Sequence, residues 1–439
     1  MRRFAMIALV STLFVPTAAA WLRAEDLTAR VGRLVQMVAP QVIQWRRDIH
    51  AHPELGNREQ RTGQVIAERL RAMGIAEIRT GVAHHGVVAL IHGGRPGPVV
   101  ALRSDMDALP IHEQTGLPFA SQNDGVMHAC GHDAHMAILL GAAQVLVELR
   151  DVLPGAVKLV FQPAEEGVPR GEEGGAKLMI KEGVLHHPDV AAIFALHVNP
   201  EVEVGKLSYC TGPLLAAVDI FQVTVTGKQS HAGMPWQGVD PIVATAHIVT
   251  ALQTIRSRHT DTRQPVVVSV GMLHAGTAYN VIPEKVVFDG TVRTHDPQVR
   301  RQVAEWFRRI VEGTAAAHGV TAQIRYDDYG PAVWNDPELG KPMRPTLAKA
   351  AGPGNVIEAE PIMGGEDFAH YAQQVPGFFF FLGVRNPAVG AVYPLHTPRM
   401  TIDEAALPLG VRAMSLLAID YLTQHPSGKA APAAGEGPH

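Results

Sequence analysis

Cys130 and His132 stand two residues apart in HACGHDAH (128–135), just ahead of a long apolar run. They offer a thiolate and an imidazole, both good ligands for zinc or a similar divalent ion. Taken alone, the pair would read equally as a buried thiol and a core histidine. Glu165 and Glu166, in FQPAEEG, sit just past an apolar stretch. Neighbouring side chains near a strand end point in different directions, so one carboxylate can bind metal while the other faces a bound water; a solvated acidic turn is the alternative. His197 in FALHV and His396 in PLHTP also follow apolar runs, and Asp105 and Asp107 stand at the end of another, VVALRSDMD. In open α/β sheets ligands gather at the carboxyl ends of strands. One cysteine, three histidines and paired acids at that edge point to a metal site. Cys130, His132, Glu166, His197 and His396 are more ligands than one tetrahedral zinc needs, which favours two metals sharing a water.

The chemistry that follows is hydrolysis. Metal charge lowers the pKa of a bound water, and Glu165 can take its proton and later deliver it to a leaving amine. Asp107 and Asp133 are candidates to orient a ligating histidine, with turn capping as the other reading. His231, in TVTGKQSHAGMP, follows a strand-like run and can polarise a carbonyl, or is a lone surface histidine. Asn280 in AYNVIP and Arg293 in GTVRT are polar residues at turns or strand ends, and arginine suits a carboxylate through forked hydrogen bonds. Gly364-Gly365-Glu366-Asp367 reads as a glycine-led turn entering a helix, suited to backbone contact with a ligand, with Asp367 as a helix cap in the alternative. A thiolate favours zinc, while carboxylate-rich, water-bearing positions also suit manganese, cobalt or nickel. Manganese or zinc is the expectation.

Several elements must bring these residues together. A helical stretch over 26–51, with Pro40 at a fresh helix start, precedes a second helix over 57–73 ended by Gly74. The strand-like runs VVALIHGG and VVALRSDM follow, then a long apolar helix from Ala134 to Leu149, the strand VKLVFQP, and the strand VAAIFALHV with His197 near its end. This alternation predicts a mostly parallel central sheet. From about Leu215 the order becomes strand (DIFQVTVTG), helix (239–256), strand (PVVVSVGML), strand (KVVFDGTVRT), helix (297–317) and strand (TAQIRYDD), a split βαβ, ferredoxin-like unit. Past Trp334 come helices, then PGFFFFLGV, a run suited to a strand buried on both faces, then the loop carrying His396. The prediction is one α/β domain, residues 25–215 plus 330–425, interrupted by a small α+β domain, residues 216–329.

Composition narrows the field. The 439 residues are 46% hydrophobic and 18% charged, which excludes a disordered or fibrous chain. A net charge of -4 and the lack of any basic block make nucleic acid an unexpected partner. With only two cysteines, Cys130 and Cys210, no disulfide framework is expected. Met1-Arg2-Arg3, an apolar run and Ala18-Ala19-Ala20 follow the order of a secretory signal, residues 1–20. That run is shorter than the ~20 residues a bilayer requires, so the expectation is a periplasmic or secreted protein with no membrane span after cleavage. Residues 426–439 read as a disordered tail.

From about Arg46 to Leu409 the chain resembles the dinuclear metal amidohydrolases that include bacterial N-acyl-amino-acid amidohydrolases, hippurate hydrolase and plant indoleacetyl-amino-acid hydrolases. The motifs carrying the resemblance are RRDIHAHPELGNREQRTG, RSDMDALPI, MHACGHDAH, FQPAEEG, the GK..HAGMP loop, NVIP, GTVRT, GGEDF and LHTP, in this order. The resemblance implies a zinc-peptidase-like catalytic domain with two divalent ions held by Cys130, His132, Glu166, His197 and His396. It also implies Glu165 as general base and Asp107 as support for the metal site. The inserted domain would act as a lid and dimer contact, so that His231 reaches the active site of a partner subunit. Asn280 and Arg293 match positions that contact substrate. Two departures stand near the substrate mouth: Gln229-Ser230 where relatives have two glycines before the lid histidine, and Trp236 where a histidine is common.

The expected activity is therefore metal-dependent hydrolysis of the amide of N-acyl amino acids. A dipeptidase or carboxypeptidase on the same scaffold is the alternative. A non-catalytic binding protein would be easier to defend if Glu165 or a ligand candidate were missing, and all are present. A metal-storage protein would concentrate Cys or His in short tracts, whereas these candidates spread from Cys130 to His396.

Overall fold

The computed structural model describes residues 18–426; residues 1–17 of the expected signal segment and 427–439 of the expected tail lie outside the described residues. The chain first forms α1 (Ala18–His50), α2 (Gln60–Ala72), β1 (Glu77–Val82), β2 (Gly86–His92), β3 (Arg95–Asp105), α3 (His132–Leu149), β4 (Pro154–Gln162), α4 (Gly175–Lys181), β5 (Ala192–Glu203), β6 (Leu207–Tyr209) and β7 (Gly212–Leu215). An inserted unit follows: β8 (Ala217–Thr226), β9 (Ser230–His231), α5 (Pro241–Leu252), β10 (Val266–Ala275), β11 (Val281–Ile282), β12 (Lys285–Thr294), α6 (Pro297–Ala317) and β13 (Thr321–Gly330). The chain then returns through β14 (Val333–Asn335), α7 (Pro337–Ala351), β15 (Val356–Glu358), α8 (Ala369–Ala372), β16 (Gly377–Arg385) and α9 (Leu407–Gln424).

The main sheet has eight strands in the order β1-β2-β4-β3-β5-β16-β6-β15. Its centre, β4-β3-β5-β16, is parallel, as expected for strands joined by helical crossovers. Towards its margins β1–β2, β2–β4 and β16–β6 pair antiparallel, the first through the tight turn at 83–85, which can join only antiparallel neighbours, while the edge strand β15 pairs parallel with β6. The sheet is thus mixed, with the parallel part where the chemistry-bearing residues emerge. Helices α1, α3, α7 and α9 bury one face. Strands β7 and β14, together with α4 and α8, cover the other. Phe378 and Phe380 fill the first core and Phe379 and Phe381 the second, as the two-residue period of a strand buried on both faces requires.

Two helix expectations change. Helix α1 runs through Pro40 without a fresh start; Pro40 faces solvent, where water can take the carbonyl that a proline cannot serve. Helix α5 ends at Leu252, and a π-helical turn, Ile255–His259, completes the segment expected to be helical to residue 256.

The inserted unit is a four-stranded antiparallel sheet in the order β10-β12-β8-β13, with α5 and α6 packed on one face over a core of Phe221, Phe288 and Phe307. That is the ferredoxin-like arrangement. Strand β10 leaves one edge of this sheet unpaired among the described residues. On either side of the insertion, β7 and β14 pair with each other as a short antiparallel ribbon.

Candidate metal centre

Three turns and one strand set the site. Between Cys130 and His132, Gly131 adopts φ +90, and a Cβ there would lie 2.4 Å from Val198 Cγ2. Only glycine supplies both the left-handed backbone and the close approach, so the cysteine and the first residue of α3 flank it on one side of the sheet edge. Beyond β4, Ala164 turns the chain at φ +57 and presents Glu165 and Glu166. His396, also left-handed at φ +60, is pinned by its backbone N–H donating to Ala129 O at 2.8 Å. His197 lies within β5, which continues to Glu203, so it stands mid-strand rather than near the strand's end.

These residues converge. Cys130 Sγ is 3.3 Å from His197 Nε2 and 3.3 Å from His396 Nε2. His396 Nε2 is 3.0 Å from Glu166 Oε1. The donor atoms of Cys130, His132 and His197 lie within 4.8 Å of one another, as do those of Cys130, Glu166 and His396, so two three-residue groups share the cysteine. His132 and His197 are held alike. The first donates Nδ1–H to Asp107, to its backbone O at 2.9 Å and its Oδ1 at 3.2 Å, and the second donates to Val198 O at 2.8 Å. His132 Nε2 is buried with no hydrogen-bond partner among the described residues. A buried imidazole whose outer nitrogen is fixed by a carboxylate and whose inner nitrogen is unserved is the arrangement a metal-ligating histidine takes.

The electrostatics agree. Burial lowers His132, but the carboxylates of Asp105, Asp107 and Glu166 outweigh it and lift the ring to about 10. Burial, then the charges of Glu166 and Glu165, pushes the Cys130 thiol well up. The cluster therefore has an unmet demand for positive charge, which divalent cations satisfy while stabilising the thiolate. Burial, with the His135 ring beside it, pushes His197 down to about 3, so Nε2 keeps its lone pair at neutral pH. Glu165 differs from its neighbour: burial and the carboxylates of Glu366, Glu166 and Asp367 push it well above the usual carboxylate range, the condition of a group that holds a proton readily.

A supporting layer went unassigned in the sequence. Val198 N–H donates to His135 Nε2 at 2.9 Å, so the proton of His135 sits on Nδ1 and is donated to Asp105 Oδ1 at 2.7 Å. Asp105 Oδ2 accepts from the buried Arg103 at 3.0 Å, and Arg103 also binds Glu366 and Asp367, each at 3.0 Å. The available signals were an arginine inside an apolar strand, which must be paired, and a histidine three residues after His132, on the same helix face. Asp367 is no cap for its own short helix; it accepts from Arg103, Gln162 and the Ala176 N–H. Asp133 orients no ligand either, since its Oδ2 takes Arg46 Nε at 2.7 Å and His50 Nδ1 at 2.8 Å.

The cluster opens on a cavity of about 690 Å³ between the main domain and the insertion. Cys130, Glu165, Glu166, His197 and His396 line one part; Leu215, Val218, Ile362 and Phe381 supply apolar wall, and the backbone of Gly364-Gly365 borders it. Arg293 reaches in from β12 and forms no ion pair with another described residue; its Nε donates to Thr291 Oγ1 at 3.1 Å. His231 and Asn280 are the sequence candidates that do not arrive. They lie together on the outer side of the insertion, where β9 pairs with β11 and Ala232 N–H donates to Asn280 O at 3.0 Å.

Known proteins resemble the chain over most of its length. The model of Peptidase family M20/M25/M40 matches residues 101–420. Thermostable carboxypeptidase 1 of Saccharolobus solfataricus is 39% identical over 398 residues, which span 90% of this chain and 99% of that protein. N-acetylcysteine deacetylase of Bacillus subtilis is 41% identical over 387 residues, 87% and 97% of the two chains. A solved Bacillus subtilis structure, titled a dinuclear metal binding peptidase from M20 family, superimposes with a TM-score of 0.75 at 38% identity, covering 88% of this chain and 99% of that one. The donor cluster, from Asp105 to His396, falls inside the matched span, and the chain belongs to peptidase family M20/M25/M40.

Proposed function

We propose that the protein hydrolyses the amide bond of N-acyl amino acids, releasing the acyl acid and the amino acid. One observation carries this reading: Glu165, with its raised proton affinity, stands beside the donor groups sharing Cys130, in a cavity that also holds Arg293, which has no ion-pair partner among the described residues. The deacetylase among the relatives acts on a substrate of this class by its name.

Cys130, His132 and His197 would hold one divalent ion and Cys130, Glu166 and His396 the other. Zinc or manganese suits this donor set, with cobalt or nickel compatible. When bound, the ions acidify a water and polarise the substrate carbonyl. Glu165 takes the proton of the attacking water and returns it to the departing nitrogen. Asp107 keeps the His132 ring turned inward through Oδ1 and fixes Glu166 by accepting its backbone N–H on Oδ2 at 2.9 Å. Arg293 takes the substrate's α-carboxylate by forked hydrogen bonds.

A homodimer through the inserted domain completes the site in this proposal. Supporting it are the unpaired edge strand β10 and the exposed Trp236 (76%), Met272 (54%) and Tyr279 (99%) on the same unit. His231 and Asn280 then enter the partner's cleft, His231 as a donor to the substrate carbonyl. Export is proposed from residues 1–20 alone: a charged start, an apolar core and small residues before Trp21. Cell fractionation tests it, and a cytoplasmic chain retaining Met1 overturns it.

Activity is tested with the purified metal-loaded protein on N-acetyl and N-benzoyl amino acids and the matching free dipeptides. Turnover of acylated substrates, lost with chelator and restored by metal, is expected. Turnover confined to free dipeptides would replace this reading with the peptidase one. Glu165→Gln at full metal content should lose at least about 10²-fold in kcat; near-normal turnover would remove Glu165 as the base.

A further inference from the structure

Glu59, immediately before α2, is a buried carboxyl with no salt-bridge partner among the described residues. Its Oε1 accepts the backbone N–H of Ala164 at 2.8 Å, and its Oε2 is buried without a hydrogen-bond partner among the described residues. Ala164 is the residue that bends the chain from β4 into Glu165, at a left-handed φ of +57 that alanine does not favour. The segment around Glu59 presses on the same turn. A Cβ at Gly56 would stand 2.6 Å from Gly167 O and 3.2 Å from Ala164 Cα. Further along, Asn57 Nδ2 donates to Glu172 Oε2 and Glu173 O, each at 3.0 Å, and Arg58 pairs with Glu172 at 2.6 Å. The loop carrying Glu165 and Glu166 is therefore held at its head by Glu59 and at its tail by Asn57 and Arg58.

We propose that Glu59 is a positioning residue for the hydrolysis, fixing through the Ala164 turn the direction in which the Glu165 carboxyl enters the cavity. The proposal rests on the reading of Glu165 as the base. What Glu59 contributes is an acceptor at a set distance, not a charge. Burial, with the Asp107 charge beside it, pushes it up to about 8, so at neutral pH it is a neutral acid. Glutamine reproduces that acceptor, size and neutrality; methionine keeps the size and loses the acceptor.

The test compares Glu59→Gln and Glu59→Met as metal-loaded proteins, with kcat expressed per metal-loaded folded chain. Glu59→Gln should stay within about twofold of the parent, while Glu59→Met should lose about ten- to a hundredfold in kcat with KM and metal content held. Rescue by glutamine is the readout that a merely structural role would not produce. Should the methionine variant fail to fold, Glu59→Asp, which draws the acceptor back by one methylene, is expected to show the same loss in kcat. The proposal is overturned if the acceptor-free variant keeps full kcat, if glutamine loses as much as methionine, or if activity falls only in step with metal content. Glu165→Gln, run in parallel, separates the two ideas: if it abolishes turnover while Glu59→Met does not, only the role of Glu59 fails, and if it keeps turnover, the reading of the base fails.

Discussion

His132 shows how a side chain becomes a ligand by having one nitrogen committed elsewhere. Its Nδ1 proton goes to Asp107, which leaves Nε2 facing the thiol and carboxylates of the cluster. Asp107→Ala removes the carboxylate contact but leaves the backbone O in place, and should weaken metal binding about 10-fold, read by competition with a chelator of known affinity. Asp107→Asn, whose carbonyl oxygen can still accept from the ring, should lose less. At Arg293 the expectation is different in kind: Arg293→Lys should raise KM for N-acyl amino acids while leaving kcat nearly unchanged, because lysine keeps the charge but cannot form the fork. Cys130, His132, Glu165 and Glu166 were legible in the sequence because short motifs place them beside a strand end or a helix start. Arg103 and His135 were not, and Asp105 was placed at the sheet edge without a role, since their contacts exist only once β3, α3 and β5 lie side by side. Asp133 misled because its neighbour in sequence is a ligand candidate while its side chain points toward α1.

At the scale of elements, the two N-terminal helices are tied to each other by one carboxylate. Asp48 of α1 accepts from Arg61 at 2.8 Å and Arg69 at 2.5 Å, both on α2. Burial alone would raise Asp48, but the hydrogen bond and charge of Arg61, with those of Arg69, bring it below its ordinary value. A carboxyl lowered in the folded state adds stability that is complete above the unfolded value near 4 and fades as pH falls through the folded one. Asp48→Asn should therefore cost about 1 kcal/mol near pH 7, small because Asp48 is 34% exposed. The gap between variant and parent should narrow near pH 3, as thermal melts at the two pH values would report. Element types were largely readable from periodicity: α6 and β16 match the sequence closely. The antiparallel pairings of β2 with β4 and of β6 with β16 were not readable, because strand direction depends on which neighbours the chain returns to. Pro40 likewise interrupts a helix only when its missing hydrogen bond cannot be replaced by water.

For the whole molecule, the change in the alternation of elements near Leu215 coincides with the start of β8 and its separate four-stranded sheet. The position of His231 was not readable from the sequence, because its site lies on the outside of its own chain. If a partner supplies it, Glu165→Gln and His231→Ala proteins, each inactive, should regain about a quarter of parental activity when unfolded together and refolded as an equal mixture, since half the dimers then carry one intact site of two. Absence of recovery, with mixed dimers demonstrated by mass, would place His231 outside the reaction. Helix α9, apolar along its length, passes the length and hydropathy test for a membrane span, but most of it is buried among α1, α3 and α7, which accounts for its composition. The β7–β14 ribbon has a different kind of consequence. Because the strand that leaves the main domain and the strand that returns are hydrogen-bonded to each other, the insertion hangs from a closed seam with a core of its own. Its excision would leave two ends already side by side, and its replacement would disturb no ligand of the cluster. The residues of the donor cluster and the base beside it can therefore be inherited or redesigned separately from the module that encloses the substrate and carries His231.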